Sequence, residues 1–219
     1  MSSTELIYGT QPVAEAERGR RQVHRIWRSP ETSSAELERM VGSEDHQGVV
    51  AEVDPYPYVG GQVLLGKPDA LIVVLDQIQD PRNFGAVCRS AEVAGADGVV
   101  IPDRRAASVT AVTCKTSAGA VEHLNIARVR NISDWLAEAK DAGFWVWGAD
   151  GSSDQTPWQT DLTGKTVLVM GTEGKGLRPR VADTCDGLIA IPQHGKIESL
   201  NVSVATSVLL FEAIRQRSS

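Results

Sequence analysis

Five polar side chains stand where a reaction could use them. Asn83 and Arg89 lie in the segment DPRNFGAVCRS, Glu173 sits between Gly171 and Gly174, and Ser199 and Asn201 flank Leu200. Six residues of helix advance the wheel by about 600°, so Asn83 and Arg89 leave different faces unless Asn83 precedes the helix. A loop asparagine and a helix arginine can both reach the carboxyl ends of strands, where open α/β sheets hold ligands. The competing reading makes Asn83 a cap and Arg89 a surface charge. Glu173 follows a buried strand and has no packing role, although a solvated turn residue carries the same signature. Ser199 suits an N-cap, whereas Asn201 at the second helical position is less readily explained by propensity. No Ser/His/Asp or Cys/His set of recognisable spacing accompanies these groups, which argues against nucleophilic catalysis. The glycines at 171, 174 and 176 form neither G-x-G-x-x-G nor a P-loop. The expected ligand is therefore neither a nucleoside triphosphate nor a dinucleotide.

The elements that must position these groups alternate strand and helix. LIVVL (71–75) is a continuous apolar run, as in a strand covered on both faces. Asp80-Pro81 reads as an N-cap followed by proline at the first helical position. Phe84, Val87, Cys88, Ala91 and Ala94 then make an apolar helical stripe, and Gly95 is placed to end it. GVVIP (98–102), a helix over 113–120, a strand over 126–129 and a helix over 132–142 with Ser133 as its cap follow. WVWGAD, TVLVMG and GLIAIP add short buried strands. Residues 200–215 close the chain as a helix with Leu200, Val204, Val208, Phe211 and Ile214 on one face. This alternation predicts a mainly parallel sheet with helices on both sides. Ahead of it, residues 1–53 show helical signals at 12–19 and 34–40 and strand signals at 23–27 and 48–53. DPYPYVGG (54–61) reads as a linker or crossover that packs on a surface.

Composition narrows the classes. The chain has 219 residues, 42% hydrophobic and 23% charged, ordinary for a globular protein of one large domain or a large and a small one. No apolar run approaches a membrane span, and MSSTELIYG has no secretory pattern, so a cytoplasmic location is expected. Three widely spaced cysteines and four scattered histidines give no metal-ligand or disulfide spacing, and no metal is expected. A net charge of −6 speaks against a nucleic-acid partner, but Arg18, Arg20, Arg21, Arg25 and Arg28 crowd one short stretch with His24 and Trp27. A phosphate-binding face and a solvated face paired with Glu15 and Glu17 both fit that stretch.

Taken together, three ordered segments resemble the SpoU (TrmH-like) family of RNA ribose 2′-O-methyltransferases in the SPOUT superfamily. They are DPRNFGAVCRSAEVAGADGVVIP, VLVMGTEGKGL and IPQHGKIESLNVSVA, with KTSAGAVEHL as a connecting helix. The resemblance implies an α/β fold with a parallel sheet flanked by helices and a C-terminal deep trefoil knot, an exception to the rule against knots. It implies S-adenosylmethionine (SAM) as cofactor, contacted by Gly171, Ile191 and Leu200. It further implies a catalytic set of Asn83, Arg89, Glu173, Ser199 and Asn201, and a homodimer to which the last helix contributes. The opening IYG and closing HQGVVAEV resemble the family's small RNA-binding domain, with one helix and one strand missing between them. The implied organisation is a reduced RNA-binding domain at 1–54, a linker at 55–69 and the knotted methyltransferase domain at 70–219. Ribosomal RNA is the first expectation as substrate and transfer RNA the second. A non-catalytic, cofactor-binding ribosome-assembly protein is the alternative from another class.

Overall fold

Strand β5 (Leu71–Leu75) shows how the fold is layered. Leu71, Val73 and Leu75 belong to one buried cluster, while Ile72 and Val74 belong to another on the opposite face. Side chains alternate across a strand, so an all-apolar run requires cover on both sides. The computed structural model describes residues 4–218 apart from 173, 175 and 198. Besides β5, the larger sheet contains β4 (Val59–Gly60), β6 (Gly98–Pro102), β7 (Ile126–Val129), β8 (Trp145–Ala149), β9 (Thr166–Met170) and β10 (Gly187–Ile189). Its order is β10-β8-β9-β5-β6-β7-β4, and every neighbouring pair is parallel. Helices α4 (Pro81–Val93), α5 (Ala111–Thr116) and α8 (Val202–Arg217) cover one face. Helices α3 (Gln62–Leu65), α6 (Ile132–Asp141) and α7 (Pro179–Thr184) cover the other. The expected α/β class with a parallel sheet flanked by helices is what the chain forms.

The smaller unit is a three-stranded antiparallel sheet of β1 (Glu5–Tyr8), β2 (Val23–Arg28) and β3 (Val49–Val53), ordered β1-β3-β2, with α1 (Thr10–Arg18) and α2 (Ser34–Val41). It is docked on the larger unit. Ile7, Val13, Ala16, Ala51 and Val53 share a core cluster with Phe84, Cys88 and Cys114 of α4 and α5. Arg21 is buried and ion-paired with Glu122, and Arg20 donates to Asn125 Oδ1 at 2.6 Å. The segment 55–69, read as a linker, contributes β4 to the edge of the larger sheet and carries α3. Tyr56 anchors it, its hydroxyl set against the carbonyls of Val121 and Leu124 at 2.9 and 2.8 Å.

Three local expectations need correction. Asn131, not Ser133, caps α6: its side chain accepts from the Ser133 N–H at 3.0 Å, and Ser133 is already inside the helix. Ser199 does not cap α8; Asn201 does, and the helix starts at Val202. The expected stripe of Leu200, Val204, Val208, Phe211 and Ile214 divides: Val204 and Phe211 are exposed on α8 and Leu200 precedes it, while Ile214 packs against the core to which Val202, Leu209, Leu210 and Ala213 belong. The long apolar run allowed two stripes, and packing against α4 chose between them.

Candidate active site

The first functional segment is positioned by a helix start. Asp80 accepts from the Arg82 N–H at 3.0 Å and Pro81 occupies the first turn, so Asn83 is helical rather than in the preceding loop. Its partner arrives from the other end of the chain. Asn201 uses both ends of its amide: Oδ1 accepts from the Ser203 N–H at 2.9 Å, capping α8, and Nδ2 donates to Asn83 Oδ1 at 3.0 Å. A second tie, Ser90 Oγ to Ser207 Oγ at 2.7 Å, joins the same two helices farther along.

The second segment leaves the carboxyl end of β9 as a tight loop. Thr172 and Gly176 exchange two backbone hydrogen bonds at 3.1 and 3.0 Å. Gly174 and Gly176 adopt φ of 79° and 63°, the left-handed region that glycine enters without steric cost. Gly171 is required for another reason. A Cβ there would lie 2.2 Å from the Gly176 carbonyl carbon, so the loop closes on its own first residue. The exit is held by Asp76, a buried carboxylate at the end of β5. The Arg178 N–H and Nε donate to it at 3.1 and 2.8 Å.

Between this loop and the third segment lies a cavity of about 350 Å3. Gly171, Ile191, Ser199 and Leu200, all singled out in the sequence, line it. Asp150, Thr172 and Gln193 line it too, and the sequence reading missed them. Each had a signal: Asp150 and Thr172 stand just past buried strands, and Gln193 lies two residues beyond Ile191. Met170, Ile189, Ile191, Leu200 and Val202 supply apolar wall, and polar groups make up nearly as much of the lining. Apolar wall with polar groups converging on it suits a small-molecule site. Arg89 is exposed on α4 and is not among the lining residues. Glu173 lies outside the described residues. The structure thus gathers Gly171, Ile191, Ser199 and Leu200 around one cavity and bonds Asn83 to Asn201, while Arg89 stands apart from the cavity wall.

This is the cleft at the carboxyl ends of parallel strands where α/β folds take ligands. The chain leaves β9 through the loop, crosses to β10 at the sheet edge, and returns beside α4 as α8. These crossings are where the resemblance puts its knot.

Comparison with known proteins identifies the family. The RNA 2′-O ribose methyltransferase substrate-binding family matches residues 6–59. A 23S rRNA (guanosine-2′-O-)-methyltransferase RlmB of Pseudomonas putida is 39% identical over 99% of this chain and 98% of its own length. An uncharacterized tRNA/rRNA methyltransferase of Mycobacterium avium is 46% identical over 85% of this chain; the match spans 62% of that relative's length. Among solved structures, the SpoU methyltransferase AviRb of Streptomyces viridochromogenes, in complex with the cofactor AdoMet, superposes with a TM-score of 0.82. It is 28% identical, over 98% of this chain and 90% of that one. The SpoU rRNA Methylase family itself matches residues 70–211, the segment that carries all three motifs, and the chain belongs to that family.

Proposed function

We propose that this chain transfers a methyl group from SAM to a ribose 2′-hydroxyl of RNA, with ribosomal RNA as the substrate. The observation that carries this reading is the cavity walled by the second and third segments, with the Asn83–Asn201 bond bringing the first segment beside them. Its volume and mixed lining suit a ligand of nucleoside size. Gly171, Ile191 and Leu200 would hold the cofactor, the latter two as apolar walls. When bound, SAM supplies an electrophilic methyl on a sulfonium.

The protein's own work is then to orient the ribose hydroxyl and manage its charge. Arg89 is assigned the phosphate beside the reacting ribose and the developing alkoxide. A guanidinium does this as a fixed cation and not as a base, because it stays protonated. Asn83, Ser199 and Asn201 orient the sugar and the arginine, and Glu173 joins them by its place in the second segment. Residues 1–54 grip RNA, 55–69 connect, and 70–219 carry the chemistry. Ribosomal RNA is favoured over transfer RNA because the Pseudomonas relative, named for 23S rRNA, matches along both units.

A homodimer belongs to the same reading. Val204 and Phe211 are 48% and 50% exposed on α8 and Leu200, just before it, is 39% exposed, an apolar surface that a second copy would cover. No described helix is long and apolar enough to cross a membrane, and a cytoplasmic location completes the reading.

The test is incubation with labelled SAM and separate pools of ribosomal and transfer RNA, followed by mapping of new 2′-O-methyl groups. Label is expected in ribosomal RNA. Cofactor binding by calorimetry with no label in either pool would instead identify an assembly factor without turnover.

A further inference from the structure

The chain is acidic overall, yet one cleft collects five arginines. It opens at the carboxyl ends of β6 and β7. Arg104 and Arg105 follow β6, Arg130 follows β7, and Arg178 and Arg180 flank the start of α7. Asp103 is the only carboxylate among the described lining residues. Two of the five arginines are matched elsewhere, Arg178 to buried Asp76 at 2.6 Å and Arg180 to Asp134 at 2.8 Å. Arg104, Arg105 and Arg130 are exposed and make no ion pair among the described residues. Unneutralised like charges in one cleft focus a field that favours an anion between them.

The lining says which anion. The cleft measures about 570 Å3; Arg130 and Asn131 also line a neighbouring hollow of about 590 Å3, whose walls include the carboxylates of Asp134 and Glu138, so the unneutralised positive charge belongs to the first cleft. A small-molecule pocket is mostly apolar with a few polar groups; this cleft reverses that balance. Guanidinium groups bind phosphate through paired N–H donors, and a row of them along a groove suits a polyanion better than a single small ligand. Its position also fits. Gly171, Thr172, Gly174 and Gly176 line the cavity, and Arg178, two residues beyond Gly176, lines the cleft. One short loop separates the two.

We propose that this cleft is a phosphodiester-binding groove that holds the RNA strand while its reacting nucleotide reaches the cavity across the 171–177 loop. The inference rests on the RNA reading of the proposed function and adds the path of the strand. Arg104, Arg105 and Arg130 supply the contacts, and these are to phosphates, so they read no base.

The experiment measures binding of a fluorescently labelled RNA hairpin at several salt concentrations. It compares wild-type protein, the single variant Arg104→Glu, the triple Arg104→Ala/Arg105→Ala/Arg130→Ala and the matching triple lysine variant. SAM calorimetry on each serves as the control for folding. The alanine variant should lose about tenfold or more in affinity at low salt, and its log–log salt dependence should be shallower by about two. The lysine variant should keep the wild-type slope, and SAM binding should stay unchanged throughout. Wild-type affinity and slope in both Arg104→Glu and the alanine variant overturn the groove. Wild-type protein that binds the hairpin but methylates no RNA refutes the proposed function and leaves the groove standing. Wild-type protein that methylates RNA while the variants bind unchanged refutes the groove alone.

Discussion

The arginines of the first unit crowd one stretch of sequence, at 18, 20, 21, 25 and 28, whereas those of the cleft are dispersed from 104 to 180. Folding reverses the impression this gives. Arg21 is buried against Glu122, with its Nη2 also 3.3 Å from Cys114 Sγ; Arg20 is bonded to Asn125 and the His123 carbonyl. Arg18 and Arg28 face Glu15 and Glu17 at 3.4 and 3.6 Å, and Arg25 lies over the Trp27 ring. Much of that cluster joins the two units or pairs with its own helix. The dispersed arginines meet only because β6, β7 and the loop after β9 all end at the same edge of the sheet. Charge density along the chain is thus a weaker guide to a phosphate surface than charge density in space.

Breaking the buried pair should have the largest effect. Arg21→Ala leaves the Glu122 carboxylate buried without its partner, and urea denaturation should register a loss of about 3–5 kcal/mol. A loss near that of a surface pair would mean the docking contact is not structural. Burial and the Arg21 cation act in opposite directions on the Cys114 thiol, and burial wins, pushing it up to about 12. Cys114 therefore stays a neutral packing group, which leaves Glu122, with the part-exposed Glu5 at 3.3 Å, as the countercharge.

Arg89 extends the comparison to an exposed arginine assigned to chemistry. Arg89→Ala should slow methyl transfer by about 10²–10³-fold with cofactor affinity retained in calorimetry. Loss of cofactor binding instead would contradict its assignment to the RNA side. Asp76→Ala would convert a matched arginine into an unmatched one. It should cost about 1–3 kcal/mol in denaturation, because the Arg178 N–H and guanidinium lose their acceptor. It should also steepen the salt dependence of RNA binding.

A smaller effect belongs to the pair on α8. Hydrogen bonds from Arg215 and Gln216 hold the Glu212 carboxyl down to about 2. With the folded pKa below the ordinary carboxylate value, its stabilisation is full above that ordinary range. The contribution is lost as pH falls toward 2. Acid unfolding of Glu212→Gln should lack this component. Smallest of all, Arg28→Ala should change stability by less than about 0.5 kcal/mol, because Arg28 and Glu17 are both about half exposed.

Much of the α/β half could be read in advance. LIVVL had to be a two-sided strand, and Asp80-Pro81 had to start a helix, because both signals act within a few residues. Where two neighbours could each serve, as with Asn131 and Ser133 or Ser199 and Asn201, propensity did not decide; in the fold it is Asn131 and Asn201 whose side chains accept from the Ser133 and Ser203 N–H groups. Spacing alone left Asn83, Glu173 and Ser199 open between capping, solvation and chemistry. Only the resemblance carried by the ordered motifs proposes them as a set, and no local rule would have paired Asn83 with Asn201 across most of the chain.

The order of types along the chain determined most of the strands and helices of the α/β half and which family they belong to, since each depends on near neighbours or on motif order. Only tertiary structure decided which arginines are neutralised, which side of α8 faces outward, and that Asp150 and Gln193 share a cavity with Gly171. Those outcomes depend on distances between residues far apart in sequence, which the docking of the two units and the shared edge of the parallel sheet set.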